Sequence, residues 1–333
     1  MTSEVEWSTG ARGAAQLTSE VEYGVGKMKE IRTAAIYGLG ALGMLFGAQL
    51  QKEYGPENVK FVMDSERFLR HKNDKYLING EEVAFALQDA AEVDAPSDLV
   101  IVAVKGPSLP DVVSLMEPSV GPDTIIMSLM NGITSEDILA RKYGRGHILD
   151  CIAIGMDAMR DGTQLNYTQM GKIQFGSRTG TQGEEIQLVE LYFDRAGVPF
   201  EVRSDIRRAM WFKYMLNVGV NQACTVYETD YGHVCAAGAI CDEMKEAMRE
   251  VMRLAAVEGI GLTEEDINLC IEIEKTLKPD GYPSMRQDAL AGRQTEVDLF
   301  AGTVIELGKR YGIPTPVNEK YRRMLVDGRF DLR

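Results

Sequence analysis

Lys213, Asn217 and Asn221 interrupt an otherwise apolar run, "WFKYMLNVGVNQ" at 211–222, at steps of four. At about 3.6 residues per turn, four residues advance a helix by only about 40° beyond a full turn, so one ammonium and two carboxamides share a stripe. A solvated face explains this poorly, because Trp211, Phe212, Met215, Leu216, Val218 and Val220 flank the stripe. A polar contact between helices or a substrate site remains, and an ammonium among apolar side chains needs an anion or acceptors. As a site, the stripe offers proton donation from Lys213 to a developing oxyanion and orientation of a polar substrate by Asn217 and Asn221.

Further along, "YPSMRQDALAGRQTEVD" brings Ser284 and Glu296. Ser284-x-x-Gln287 has the form of a capping box, although a hydroxyl beside the free backbone donors of a helix start also suits a carboxylate. Glu296 reads either as a site acid or as a surface charge.

A second constellation lies near the start. "AAIYGLGALG" sets Gly38-Leu39-Gly40-Ala41-Leu42-Gly43 as G-x-G-x-x-G between a strand and a helix. The first glycine permits the tight turn, the second lets a pyrophosphate reach the backbone, and the third lets helix and strand pack. A second strand follows and ends at Asp64, whose carboxylate suits a ribose 2′-hydroxyl and favours NADH. Arg67, three residues on, suits a 2′-phosphate or is a solvated helix charge. Two later strand ends carry Lys105 in "AVKG" and Asn131 in "LMNG". The carboxyl edge of an open α/β sheet is its ligand side, so both are candidates for cofactor contact, and Asn131 for substrate contact as well. Asn-Gly is also a plain turn signal.

The elements that must position these residues alternate first and then become uniform. Apolar strands at 31–38, 59–64, 99–105 and 124–132 enclose a helix at 41–53, followed by strands within 147–177, a turn at "RDG" and a last strand at 198–202. Long apolar strands alternating with helices imply a parallel, doubly wound sheet. From 205 the pattern is helical: 205–228, 236–259, 264–276, about 285–309 and 315–326. The expected plan is a flexible extension at 1–27, a Rossmann-like α/β domain at 28–204, and an all-α substrate-binding and dimerisation domain at 205–333.

Composition narrows the function. The 333 residues carry 50 acidic and 36 basic side chains, a formal net charge of −14 that opposes nucleic acid. Five scattered cysteines and three histidines form neither a metal site nor a hydrolase motif. No apolar run is long enough for a membrane span, so no membrane and a cytoplasmic location are expected.

Taken together, "GLGALG", "VKG", "MNG", "WFKYMLNVGVNQ" and "SMRQDALAGRQTEVD" resemble the ketopantoate reductase family over residues 31 to about 326. The resemblance implies reduction of 2-dehydropantoate to pantoate with NADPH, a step of pantothenate and coenzyme A synthesis. It assigns proton donation to Lys213, substrate binding to Asn217, Asn221 and Ser284, and cofactor contact to Lys105, Asn131 and Glu296. Tyr231 stands where well-studied members carry a further substrate asparagine, which leaves other 2-oxo acids open. The alternatives are a β-hydroxyacid dehydrogenase, whose K-x-x-N-N spacing is absent, and a nonenzymatic dinucleotide sensor. A homodimer is the expected assembly, and the hydride transfer needs no metal.

Overall fold

The computed structural model describes residues 30–326. The extension expected at 1–27 lies outside the described residues. Among the described residues twelve strands precede residue 203: β1 (Ala34–Tyr37), β2 (Val59–Met63), β3 (Tyr76–Ile78), β4 (Glu81–Val83), β5 (Leu87–Asp89), β6 (Leu99–Val102), β7 (Ile125–Ser128), β8 (Ile148–Ile154), β9 (Met159–Asp161), β10 (Gln164–Asn166), β11 (Lys172–Gly176) and β12 (Phe200–Val202). Eight form one sheet in the order β12-β11-β8-β7-β6-β1-β2-β5, parallel except where β8 meets β11. The other four form a small sheet in the order β4-β3-β10-β9.

Both faces of the large sheet are covered, as the apolar strands require. Ala34 and Ile36 of β1 enter one core with Leu45, Phe46 and Val189, from α1 (Ala41–Tyr54) and a helix at Gly183–Ala196. Ala35 and Tyr37 enter the opposite core with Val112 and Leu139, from helices at Leu109–Leu115 and Ser135–Tyr143. Some strands are shorter than expected. Residues 31–33 lie outside β1 because Arg32 and Thr33 donate their N–H groups to the Asp98 carboxylate at 2.9 and 3.0 Å. After Val102 the chain leaves the sheet for a tight turn at Gly106–Ser108. The strands at 76–89 give no apolar run and escape the sequence pattern.

Beyond β12 the chain is helical. The stripe helix begins as α-helix at Ile206–Leu216, widens to a π-helix at Asn217–Asn221, and returns to α-helix at Gln222–Val226. A second π segment, Asp298–Gly302, packs against the first and leads into Thr303–Tyr311. A wider turn leaves backbone groups without their usual partners, and nearby side chains supply them. Gln222 Nε2 donates to Val218 O at 2.8 Å, Gln222 Oε1 accepts from Ala301 N at 3.1 Å, and Tyr214 Oη donates to Phe300 O at 2.8 Å. The single helix expected over 285–309 is corrected. Helix stops after Ser284–Leu290 and resumes at Asp298, with Gly292 at φ +65° in the break. Glu296 therefore sits on irregular chain, free of a helix face.

Candidate active site

The glycine loop is built as its spacing demands. Gly38 has φ +116°, and a Cβ there would lie 2.4 Å from Ala103 O. A Cβ on Gly43 would lie 1.9 Å from Gly38 O, so helix and strand touch backbone to backbone. Gly40 differs: its Cβ would meet the protein only at 3.6 Å, leaving its outer side open to a ligand. Gly40 is also the N-cap of α1 without a side-chain cap bond, so the first N–H groups of Ala41, Leu42 and Gly43 are available to an anion. These features fit a dinucleotide diphosphate.

Beside this loop runs a groove of about 360 Å³, lined by Leu39, Met63, Val104 and Ser108 and by the cations Arg67, Lys105 and Arg160. Among the described residues no carboxylate lines it, although acids outnumber bases in the chain. Asp64 caps the helix Ser65–His71, accepting from Arg67 N at 2.9 Å, and lies 3.5 Å from Arg67 Nε. It lines a neighbouring depression with Asp89 and Glu117 instead. The expected ribose acceptor is thus a helix cap, and Arg67 is the residue facing the groove.

The helical residues meet the strand ends at several points. Lys213 Nζ donates to Ala153 O, at the end of β8, at 2.7 Å. Burial pushes Lys213 down to about 8, opposed by the charges of Glu296, Cys151 and Glu136 in that order. Asn131 Nδ2 donates to Glu296 Oε2 at 3.0 Å. Burial raises the Glu296 carboxyl above its ordinary range, and the Asn131 bond and the charges of Lys105 and Lys213 work against that rise. Lys105 Nζ donates to Asp288 Oδ2 at 2.5 Å, and Arg293 Nε reaches the other oxygen at 2.8 Å.

Asn217 and Asn221 are buried, 7% and 5% exposed, and Asn217 Nδ2 has no hydrogen-bond partner among the described residues. A buried amide donor left unmade costs about 1–3 kcal/mol, so an acceptor from a ligand suits it. Ser284 is exposed on the first residue of its helix, whose N-cap is Pro283. The capping box does not form: Gln287 Nε2 donates to Tyr282 O at 2.7 Å instead. Tyr231 is half-buried, and its ring packs on the Gly281 turn just before Ser284.

The structure therefore joins Lys213, Asn131 and Glu296 as one electrostatic group and ties Lys105 to the segment after Ser284. Sequence reasoning missed three participants. Asp288 gave no signal, being one acid among many. The Ala153 carbonyl belongs to no motif. Arg160 stood in "RDG", read only as a turn, and reaches the groove from β9.

An open, mostly parallel sheet with a glycine cradle suited to a diphosphate, joined to a half-buried lysine beside a carboxamide and a carboxyl, has the form of a nicotinamide-dependent oxidoreductase. The ketopantoate reductase PanE/ApbA model matches residues 34–180, and the ketopantoate reductase PanE/ApbA C-terminal model matches residues 205–325. The chain belongs to the ketopantoate reductase family, oxidoreductases acting on a 2-hydroxy acid. It is 24% identical over 298 residues to a 2-dehydropantoate 2-reductase of Streptococcus pyogenes, covering 88% of this chain and 95% of that one. It is 27% identical over 242 residues to the Aquifex aeolicus 2-dehydropantoate 2-reductase, covering 70% and 77%. A solved 2-dehydropantoate 2-reductase from Geobacter metallireducens superposes with a TM-score of 0.78 at 25% identity, over 89% and 99% of the two chains. D-mandelate dehydrogenase with NADH and anilino(oxo)acetate superposes with a TM-score of 0.80 at 23% identity, over 89% and 98%.

Proposed function

We propose that the chain reduces 2-dehydropantoate to pantoate, with NADPH as the preferred cofactor. In this reading residues 28–204 hold the dinucleotide, residues 205–333 hold the substrate, and the enzyme works in the cytoplasm as a homodimer. The observation that carries the chemistry is Lys213, a half-buried cation held on one side by Ala153 O at 2.7 Å and electrostatically coupled to Glu296. The residues fit a nicotinamide dinucleotide, which when bound supplies hydride to the ketone carbon. Lys213, mostly an ammonium below pH 8, polarises the carbonyl and gives its proton to the developing alkoxide. Asn217 and Asn221 orient the substrate, with the free Nδ2 of Asn217 finding an acceptor there, and Ser284 takes the carboxylate. Glu296, fixed by Asn131, positions the nicotinamide ribose and raises the basicity of Lys213. NADPH is favoured over NADH because Arg67 and Arg160 face the groove while Asp64 is turned onto its own helix.

One observation favours a second reading, a reductase of bulkier 2-oxo acids. Tyr231 packs where the resemblance expects an asparagine, and the D-mandelate dehydrogenase likeness points to an aromatic substrate. Initial rates with 2-dehydropantoate and with phenyl-substituted 2-oxo acids, each with NADPH and NADH, test both. The highest kcat/KM is expected for 2-dehydropantoate with NADPH. Failure to oxidise either cofactor with any 2-oxo acid would refute the reading.

A further inference from the structure

The small sheet β4-β3-β10-β9 lies outside the glycine-loop motif, yet it reaches that loop through one side chain. Arg160, on β9, donates Nη1 to the carbonyl oxygen of Leu39 inside G-x-G-x-x-G, and Nε to Gly162 O at 2.8 Å. A guanidinium has five N–H donors in a fixed fork. Two are occupied among the described residues, and the group lines the groove beside Gly38, Leu39 and Gly40 with three donors left. Burial lowers the Arg160 pKa from its ordinary value, with Tyr76 and Asp74 countering it. A half-buried cation in a groove without carboxylates, next to open helix-start N–H groups, has the charge and donor geometry for a phosphate.

We propose that Arg160 is a phosphate-binding residue of the dinucleotide site, delivered by the small sheet to the glycine loop. The inference rests on the dinucleotide reading above. The phosphate is either the diphosphate shared by both nicotinamide cofactors or the 2′-phosphate of NADPH. With its backbone contact to Leu39, Arg160 would join a loop that binds by N–H groups to a side chain that binds by charge.

Equilibrium titration of the purified full chain with NADPH and with NADH, followed by quenching of protein fluorescence, tests this. Arg160→Gln is expected to raise Kd about tenfold or more, as loss of a charged hydrogen bond does. The loss should narrow as salt rises from about 0.05 to about 0.5 M, because the lost partner is a charge. A loss confined to NADPH assigns the 2′-phosphate, and an equal loss for both assigns the diphosphate. Unchanged Kd for both, or a loss independent of salt, overturns the proposal, since a mere tether between β9 and Leu39 carries no salt dependence. Should Arg160→Gln fail to fold, Arg160→Lys keeps the charge without the fork and is expected to lose affinity less while keeping the wild-type salt dependence. A wild-type Kd insensitive to salt together with an unaffected Arg160→Lys overturns the proposal there. Absence of any dinucleotide binding by the wild-type chain refutes the dinucleotide reading itself; tight wild-type binding with an unaffected variant refutes only Arg160.

Discussion

Replacing Lys213 by Met removes the proposed proton donor while keeping an unbranched side chain of similar length. Loss of a general acid lowers rate by about 10²–10⁴-fold, equivalent to about 2.7–5.5 kcal/mol of barrier. Stability responds to two opposed terms. Ala153 O loses the donor now 2.7 Å away, a cost of about 1–3 kcal/mol. The burial that pushes Lys213 down to about 8 no longer acts on a charge, which offsets part of that cost. Thermal unfolding and the dinucleotide Kd should therefore change little while kcat falls at least a hundredfold. The wild-type enzyme supplies a second test. Reduction needs the ammonium, so kcat/KM should be level below pH 8 and fall about tenfold per pH unit above it. Stopped-flow and steady-state rates from pH 6 to 10, measured for both proteins, decide the matter. A Lys213→Met variant within threefold of wild type, or a wild-type profile level through pH 9.5, would refute the assignment.

Glu296→Gln removes the largest influence holding Lys213 up, so the alkaline limb of the same profile should move to lower pH; an unmoved limb would show that the two do not interact. Gly40→Ala should fold with the wild-type Tm but lose the thermal stabilisation that saturating dinucleotide gives, about 2.7 kcal/mol at a hundredfold excess over Kd, whereas Gly43→Ala, with its Cβ 1.9 Å from Gly38 O, should lower Tm even without cofactor. Differential scanning fluorimetry with and without NADPH separates the two glycines. Glu136 is buried, and burial, with Asp150 adding to it, raises its carboxyl to about 8. The folded state then holds a proton that the unfolded chain releases near 4.5, so this contribution is complete at low pH and is lost as pH rises toward 8. Urea unfolding at pH 5, 6, 7 and 8 should show a smaller fall for Glu136→Gln than for wild type.

Much of this architecture was legible because the dominant signals were local. Apolar runs such as "LVIVAV" and "TIIMSL" announce strands buried on both faces, and three glycines at fixed spacing announce the loop they serve. The stripe from Lys213 to Asn221 was legible because polar residues stand out against a buried helix. What escaped depends on long-range context. The strands near Glu81 and Leu87 are short and polar, held by pairing with distant partners rather than by their own pattern. The break around Gly292 was invisible because helix formers flank it, yet it is what frees Glu296 to meet Asn131. Asp64 was read from its strand-end position alone, which does not show that its carboxylate also accepts from Arg67 N at the start of the next helix.

The paired π segments bear on how this chain tolerates insertion and deletion. A π turn is an α-helix that has accepted an extra residue, and Gln222 holds the consequence in place by bonding to Val218 O on one side and Ala301 N on the other. Five residues of π-helix sweep about the same angle as four of α-helix, so removing one residue between Asn217 and Asn221 would restore ordinary winding and leave everything beyond nearly in phase with Lys213. The change would be confined to the segment itself, where Asn217 and Asn221 would stand three residues apart instead of four. In an ordinary α-helix the same single-codon deletion would swing everything beyond by about 100°; the π segment is where this helix can lose a residue and still keep its two halves facing the same way.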